Sequence, residues 1–219
     1  MGYDMTDGLA TSIRTLCPQR LLPVVVMDDP SGAEPLREAL QAGGLSCAEI
    51  TLRTSDALDA VYAMAEDPDF IVGAGTVLTP HQVARAHAVG ARFIVSPGYS
   101  RLVADECRAV GLPFFPGVAT STEIQQALEA GLRELKFFPA ESLGGPGTLK
   151  TLTAPFRDVA FIPTGGITAA RASSYLALPQ VAAVGGSWIA SEALLRAGDF
   201  ASIARLTNEA VRLSRSSVT

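Results

Sequence analysis

The sequence predicts an α/β protein, a single-domain (β/α)8 TIM barrel with an extra N-terminal helix. Short apolar runs alternate with amphipathic stretches about eight times in 219 residues, as strand and helix pairs do. Such an alternation predicts a parallel sheet, because each crossover helix covers a face of the sheet. Barrels of this kind often reach this length as one domain, and closure removes both exposed sheet edges. We therefore expect residues 1–219 to form one domain.

The first predicted helix precedes the first strand. Leu9, Ile13 and Leu16 have helical spacing within residues 7–16. We expect this segment, part of residues 1–20, to pack on one end of the barrel and cover its core.

The predicted strands are the short apolar runs between turn residues. In chain order they are Leu22–Met27, Ser46–Leu52, Phe70–Ala74, Arg92–Val95, Phe114–Phe115, Glu134–Phe138, Ala160–Pro163 and Val181–Val184. The stretches between them have helical spacing, so helices are expected as the crossovers.

Capping residues and glycines mark the helix boundaries. Predicted starts are Ser31 with Glu34, Thr54 or Ser55 before Asp56, Thr79 with Pro80, Ser100, Thr120 or Ser121 with Glu123, and Thr168. Glycines that close helices shortly before the next strand are Gly43, Gly90, Gly111 and Gly131.

An open, doubly wound sheet is the alternative architecture. It predicts a glycine-rich phosphate turn after the first strand, whereas residues 27–30 read Met-Asp-Asp-Pro here. The glycine-rich turns come after the seventh and eighth predicted strands instead. No linker or low-complexity segment divides the chain, which favours one domain.

Composition and charge exclude several classes of function. The formal net charge is -5, so no basic field for nucleic acid is present. No stretch of eighteen or more apolar residues occurs, and no basic region followed by an apolar run begins the chain, so neither a membrane span nor a secretory signal is expected.

The cysteines and histidines predict a reducing compartment and no metal. Cys17, Cys47 and Cys107 are far apart and odd in number, as in a cytoplasmic protein with reduced thiols. His81 and His87 share one helix-like stretch, and no cluster of His, Cys and carboxylates has the spacing of metal ligands. We expect a cytoplasmic protein without metal or cofactor.

Lys136 is the first candidate catalytic residue. Only Lys136 and Lys150 are lysines among seventeen basic residues, and Lys136 lies inside an apolar run. A desolvated lysine has a lowered pKa and can act as a neutral nucleophile, which arginine cannot do. Two interpretations stay open on this stretch alone: a Schiff-base lysine, or a lysine at a strand end with its ammonium in water.

Glu49 and Arg53 lie on one face of the second predicted strand, because strand residues alternate between faces. The other face is apolar and should contact the helices, which leaves both charges toward the interior, roughly 13 Å apart. Glu49 is either an acid/base group or the ion-pair partner of a lysine on another strand. Arg53, at the open rim, suits a carboxylate. By the same alternation Lys136 points where Glu49 points.

Small residues end the third and fourth strands. They are Gly73, Ala74 and Gly75 before Thr76, and Ser96, Pro97 and Gly98. They leave either a cavity or close contacts between helix and strand. Thr76 adds a hydroxyl at the rim.

The late glycines predict an anion site. Gly165-Gly166 and Gly185-Gly186-Ser187 each precede a helix-like stretch, so two sets of backbone N–H groups could converge on one phosphate. The loops after strands seven and eight of a barrel often bind phosphate.

Together these motifs resemble the family of 2-keto-3-deoxy-6-phosphogluconate (KDPG) and 4-hydroxy-2-oxoglutarate aldolases. The resemblance covers most of the chain. Its pieces, in order, are residues 48–54 (AEITLRT), 72–77 (VGAGTV), 93–98 (FIVSPG), 116–120 (PGVAT), 136–141 (KFFPAE), 163–167 (PTGGI) and 185–188 (GGSW).

The resemblance implies a class I aldolase of the Entner–Doudoroff pathway that yields pyruvate. It implies Lys136 as the Schiff-base lysine and Glu49 as the general acid/base. It also implies a homotrimer, with a phosphorylated 2-keto acid and pyruvate as small-molecule partners. The implied substrate-binding residues are Arg53, Thr76, Pro97, Phe138, Gly165, Gly166, Gly186 and Ser187. Asp28 and Asp29 belong to no motif of the family.

Other functions remain alternatives at this point. A phosphosugar epimerase or isomerase, or a binding protein, would keep the phosphate loops without needing Lys136 and Glu49 together. A phosphogalactonate or 4-hydroxy-2-oxoglutarate aldolase would share the chemistry and differ in substrate.

Overall fold

The computed structural model describes residues 11–216. The strands are β1 (Leu21–Val25), β2 (Cys47–Thr51), β3 (Ile71–Gly75), β4 (Ile94–Val95), β5 (Phe114–Phe115), β6 (Gly117–Val118), β7 (Glu134–Phe137), β8 (Ala160–Pro163) and β9 (Val184–Gly186). The helices are α1 (Ile13–Leu16), α2 (Ala33–Ala42), α3 (Ala57–Ala65), α4 (Pro80–Ala88), α5 (Arg101–Val110), α6 (Ser121–Glu129), α7 (Gly145–Thr153), α8 (Ala169–Leu176), α9 (Glu192–Ala197) and α10 (Phe200–Ser216), with a 3-10 helix at Pro30–Gly32. None of these helices is long and apolar enough to cross a membrane.

The named strands pair in parallel. Six strands form one sheet in the order β5-β4-β3-β2-β1-β9, and β6-β7-β8 form a second. The fifth strand, β5, lies at Phe114–Phe115 as predicted and pairs with β4. A further short strand, β6, was not predicted; it follows Pro116, which has no N–H to donate, and pairs with β7. The result is an α/β fold with a curled parallel sheet and helices between its strands.

The last strand differs from its prediction. It was expected at Val181–Val184 and lies at Val184–Gly186, where Leu22 pairs with Gly185 and Pro23 with Gly186. The second glycine pair therefore belongs to the strand and does not form the turn after it. Hydrogen bonding to β1 decides this register, and the apolar run alone cannot reveal it.

Capping chemistry confirms several helix starts. Thr79 with Gln82 and Thr120 with Glu123 form capping boxes on α4 and α6, and Ser100 caps α5. The start predicted at Ser31 is wrong. The Ser31 N–H donates to Asp29 Oδ1 at 2.9 Å in the 3-10 helix, and α2 begins only after Gly32.

The core has two layers, as the alternation of side chains predicts. On β2, Ala48 and Ile50 belong to the layer under the helices, and Cys47 belongs to a smaller apolar cluster on the other face. On β7, Leu135 and Phe137 belong to the layer under the helices. Lys136 and Glu49 are on the opposite faces of their strands.

The N-terminal helix covers one end of the sheet within the described residues. Ile13, Leu16 and Cys17 are buried in the inner cluster. Glu134, the first residue of β7, accepts hydrogen bonds from Ser12 Oγ at 2.6 Å and from the Ile13 N–H at 2.8 Å. The rest of the predicted helix, residues 7–10, lies outside the described part. Within the described part, α1 packs on the inner apolar cluster and is bonded to the first residue of β7.

We expect Glu134→Ala to loosen this attachment. The change leaves two donors of α1 without their acceptor, and such a loss costs about 1–3 kcal/mol of unfolding free energy. Urea denaturation of Glu134→Ala and of Glu38→Ala, an exposed glutamate of α2, provides the comparison. Equal stabilities for the two variants would contradict this role of Glu134.

Candidate active site

A cavity of about 700 Å³ opens at the carboxyl ends of the strands. Its lining includes the predicted site residues Arg53, Thr76, Pro97, Lys136, Phe138, Gly165, Gly166, Gly186 and Ser187. Glu49 is fully buried behind Lys136. The parallel sheet explains this convergence, because all its strands end on the same side.

Lys136 and Glu49 form a buried ion pair at this cavity. Lys136 Nζ lies 3.3 Å from Glu49 Oε1, and the side chains are 7% and 0% exposed. This burial excludes the interpretation of Lys136 as a lysine with its ammonium in water. Glu49 Oε2 is also buried and has no hydrogen-bond partner among the described residues. That oxygen can accept a proton from a molecule bound at the lysine.

Gly75 makes room for the Glu49 side chain. A Cβ on Gly75 would overlap Glu49 Oε1, and a Cβ on Gly73 would overlap the Phe93 ring. Close packing, and not an open cavity, is therefore the role of these two glycines. The absence of a side chain at Gly75 lets the carboxylate reach Lys136.

Arg53 and Thr76 lie at the rim. β2 ends at Thr51, so Arg53 belongs to the following turn and not to the strand face on which it was predicted. The Arg53 side chain makes no ion pair with any described residue. Thr76 follows β3 with φ 56°, a left-handed conformation that is uncommon for a β-branched residue. A cation and a hydroxyl are thus available to an anionic group.

Phe138 and Pro97 form walls beside the lysine. The Phe138 ring centroid is 5.3 Å from Lys136 Nζ, so the ammonium lies over an aromatic ring. Pro97 lies in the loop after β4, where its carbonyl is so close to Gly117 that a Cβ on this glycine would overlap it. These walls reduce contact between the amine and water.

The two late glycine pairs have different roles. Gly165 and Gly166 have φ values of 105° and 76°, so they form a left-handed turn after β8. A Cβ on Gly186 would overlap the Trp188 ring, so Gly186 leaves room for this ring beside the end of β9. The N–H groups of Gly166 and Ser187 donate to no backbone carbonyl of residues 11–216. They can bind an anion.

Sequence reasoning missed several lining residues. They are Val24, Val26, Thr51, Thr164, Ala190, Ser191, Glu192 and Ala193. Alternation along β2 indicated Thr51, whereas the residues at the start of α9 had no chemical signal of their own. The Thr51 and Thr164 hydroxyls donate to Val25 O at 3.0 Å and to Ile162 O at 3.2 Å.

Asp28 and Asp29 have structural partners outside this cavity. Asp28 forms an ion pair with Arg196 at 3.0 Å, and Asp29 caps the 3-10 helix. With Met27 and Phe200 they line an adjacent cavity of about 380 Å³. Neither carboxylate lines the larger cavity.

A buried lysine amine beside a carboxylate can form a covalent imine with a carbonyl substrate. Comparison with known proteins agrees. A family model described as KDPG and KHG aldolase matches residues 13–206. A 2-dehydro-3-deoxy-phosphogluconate aldolase of Treponema pallidum is 43% identical over 195 residues, covering 89% of this chain and 93% of that protein. The chain belongs to the KDPG and KHG aldolase family.

Solved structures of this family are close in fold. A KDPG aldolase from Legionella pneumophila, with pyruvate captured as a covalent carbinolamine, has a TM-score of 0.84 and 38% identity, covering 94% of this chain and 97% of that one. The Zymomonas mobilis ZM4 enzyme, with 3-phosphoglycerate, has a TM-score of 0.83 and 40% identity, covering 94% of each chain.

The buried ion pair should couple the two side chains energetically. Lys136→Met leaves the Glu49 carboxylate without its cation, and breaking a buried pair in this way costs about 3 kcal/mol, near the low end because Lys136 borders a cavity. Adding Glu49→Gln removes the remaining charge and should restore most of the loss. Denaturant unfolding of both single variants and the double variant measures the coupling. Additive effects would show that the two side chains do not interact.

Proposed function

We propose that this protein is a class I aldolase that cleaves KDPG to pyruvate and glyceraldehyde 3-phosphate through an imine on Lys136. The observation that supports this most directly is the buried Lys136 and Glu49 pair at the cavity. Membership of the KDPG and KHG aldolase family supports the substrate class and a place in the Entner–Doudoroff pathway.

The reaction begins with the lysine. The neutral Lys136 amine attacks the C2 carbonyl carbon of the substrate and forms a carbinolamine, which loses water to give a protonated imine. Glu49 transfers the protons of this step, since its carboxylate lies 3.3 Å from Nζ. The carbinolamine captured in the Legionella relative is the same kind of intermediate.

The imine then takes up the electrons of the broken bond. Glu49, directly or through a water, removes the proton of the C4 hydroxyl, and the C3–C4 bond breaks to release the aldehyde. The bonding electrons move toward the protonated imine and give an enamine. A proton returns to C3, and water hydrolyses the imine to release pyruvate and the free Lys136 amine.

The cavity offers groups for both ends of the substrate. Arg53 and Thr76 bind the carboxylate, while Pro97 and Phe138 enclose the carbon chain. Gly165, Gly166, Gly186 and Ser187 surround the phosphate, with the Gly166 and Ser187 N–H groups as donors. The 3-phosphoglycerate held by the Zymomonas relative supports a phosphorylated ligand.

Unphosphorylated 4-hydroxy-2-oxoglutarate is the second candidate substrate. The matching family model includes KHG aldolases, and the imine chemistry at Lys136 does not need a phosphate. An epimerase, an isomerase or a binding protein would leave the Lys136 and Glu49 pair without a use. Measured kcat/KM values for KDPG, its C4 epimer and 4-hydroxy-2-oxoglutarate separate the aldolases.

The two sheets are best explained as one closed (β/α)8 barrel in a single domain. β5 and β6 count as one strand interrupted at Pro116. Isolated parallel bridges between Phe161 and Val181 and between Thr164 and Gly185 join β8 to the β9 segment. The ring then contains eight strands and no open edge.

A homotrimer in the cytoplasm completes the proposal. The homotrimer is what the resemblance to the aldolase family implies. Cys17, Cys47 and Cys107 are free and buried, which suits a reducing compartment.

We expect Lys136→Arg to abolish cleavage, because the guanidinium keeps the charge and removes the nucleophile. Incubation with pyruvate and borohydride, followed by mass spectrometry of the peptides, should find pyruvate attached to Lys136 in the native protein. The Lys136→Arg variant should show no attachment. Activity above a few per cent in this variant would contradict the imine mechanism.

Gly75→Ala should lower turnover without unfolding the protein. The added methyl group displaces the Glu49 carboxylate from Lys136, and a displacement of about 1 Å can cost about a hundredfold in rate. The matched control is Gly147→Ala, because a Cβ on Gly147 meets no atom within 4 Å. The kcat values of the two variants, compared at equal folded fraction, test the position of Glu49. Native turnover in Gly75→Ala would show that catalysis does not depend on where the Glu49 carboxylate lies.

A further inference from the structure

The loop after β7 and the turn after β8 are joined by backbone hydrogen bonds. The Ala140 N–H donates to Thr164 O at 2.8 Å, and the Glu141 N–H donates to Gly165 O at 3.1 Å. The β7 loop begins two residues after Lys136, and the β8 turn contains Gly166. These bonds connect the lysine end of the cavity with the glycine turn.

The Glu141 carboxylate extends this connection to helix α8. Its Oε1 accepts a hydrogen bond from the Tyr175 hydroxyl at 2.6 Å, and its Oε2 lies 3.3 Å from Arg171 Nη2. Tyr175 is 0% exposed, and its hydroxyl has Glu141 as its partner. Burial and the neighbouring carboxylate raise the pKa of the Tyr175 hydroxyl well above its usual range, so it keeps its proton.

Close contacts leave little freedom between the two loops. A Cβ placed on Gly166 would lie 3.0 Å from Glu141 Cβ, and one placed on Gly165 would lie 3.1 Å from Phe138 Cδ2. α8 begins at Ala169, three residues after Gly166. The helix that holds the Glu141 carboxylate is therefore also the helix that follows the glycine turn.

We propose that Glu141, held by Tyr175 and Arg171, is a positioning residue that sets the distance between the Lys136 imine and the phosphate-binding turn. Glu141 does not itself line the cavity, and it acts through Gly165 and Gly166, which do. Its effect is specificity, because a fixed distance favours a substrate whose phosphate reaches the turn while C2 is bonded to Lys136. The inference rests on the aldolase function proposed above.

The geometry predicts a selective loss. We call the contacts of Glu141 with Tyr175 and Arg171 the Glu141 clamp. Without this clamp the glycine turn can shift relative to Lys136. Only a substrate that binds both to Lys136 and to the glycine turn is affected by this shift. Imine formation with pyruvate needs the lysine end alone. We therefore expect a raised KM for the phosphorylated substrate, with little change in the cleavage of an unphosphorylated substrate or in pyruvate trapping.

Tyr175→Phe tests the clamp with the smallest change. It removes the hydroxyl and keeps the ring in the core. We expect kcat/KM for KDPG to fall about 10- to 100-fold through KM, the scale of a displacement of about 1 Å. Cleavage of 4-hydroxy-2-oxoglutarate and borohydride trapping of pyruvate should stay within about twofold. The control Tyr62→Phe changes an exposed tyrosine of α3 and should affect none of these values.

A pair of changes at Glu141 separates hydrogen bonding from packing. The amide oxygen of Glu141→Gln can still accept the Tyr175 hydrogen bond, so its preference for KDPG should stay within about threefold of native. Glu141→Ala loses both partners and should behave like Tyr175→Phe or worse. Melting temperatures show which variants are folded. If Glu141→Ala does not fold, the comparison of Glu141→Gln with Tyr175→Phe still tests the proposal.

Two results would contradict the proposed positioning role of Glu141. An equal fall for both substrates in Tyr175→Phe, with pyruvate trapping intact, would give Glu141 a general structural role. An unchanged kcat/KM for KDPG in both Tyr175→Phe and Glu141→Ala would remove any role in positioning. Failure of the native protein to trap pyruvate is a different outcome, since it would contradict the aldolase function itself.

Discussion

The buried ion pair between Lys136 and Glu49 is the interaction on which the rest of the site depends. Removing two charges from water costs several kcal/mol per ion, and only a close contact between them offsets this cost. Gly75 leaves the space that this contact needs, and the Phe138 ring lies over the ammonium. The apolar interior holds the Lys136 amine close to the Glu49 carboxylate, and the proposed imine chemistry needs a proton acceptor at this place.

Much of the fold could be predicted because side chains alternate along strands. The apolar residues of β2 and β7 face the helices, so Glu49 and Lys136 both point to the opposite face of the sheet. Helix starts with reciprocal side-chain bonds, such as the one at Thr120, were also predictable. The break at Pro116 and the register of β9 were not, since they depend on pairing with strands distant in sequence.

The candidate site divides in the same way. Lys136, Glu49 and Arg53 are conspicuous because charge within an apolar pattern is costly and needs a reason. Gly186 was predicted from its residue type as a phosphate residue, yet its lack of a side chain also makes room for Trp188. The clamp at Glu141 depends on Tyr175, 34 residues away, and no local pattern indicates that contact.

A crystal structure of the protein grown with pyruvate is the most direct test of imine formation at Lys136. We expect continuous electron density between Lys136 Nζ and C2 of pyruvate, with Glu49 within hydrogen-bonding distance and the pyruvate carboxylate at Arg53 and Thr76. Pyruvate bound without a covalent bond, or attached to Lys150 instead, would contradict it.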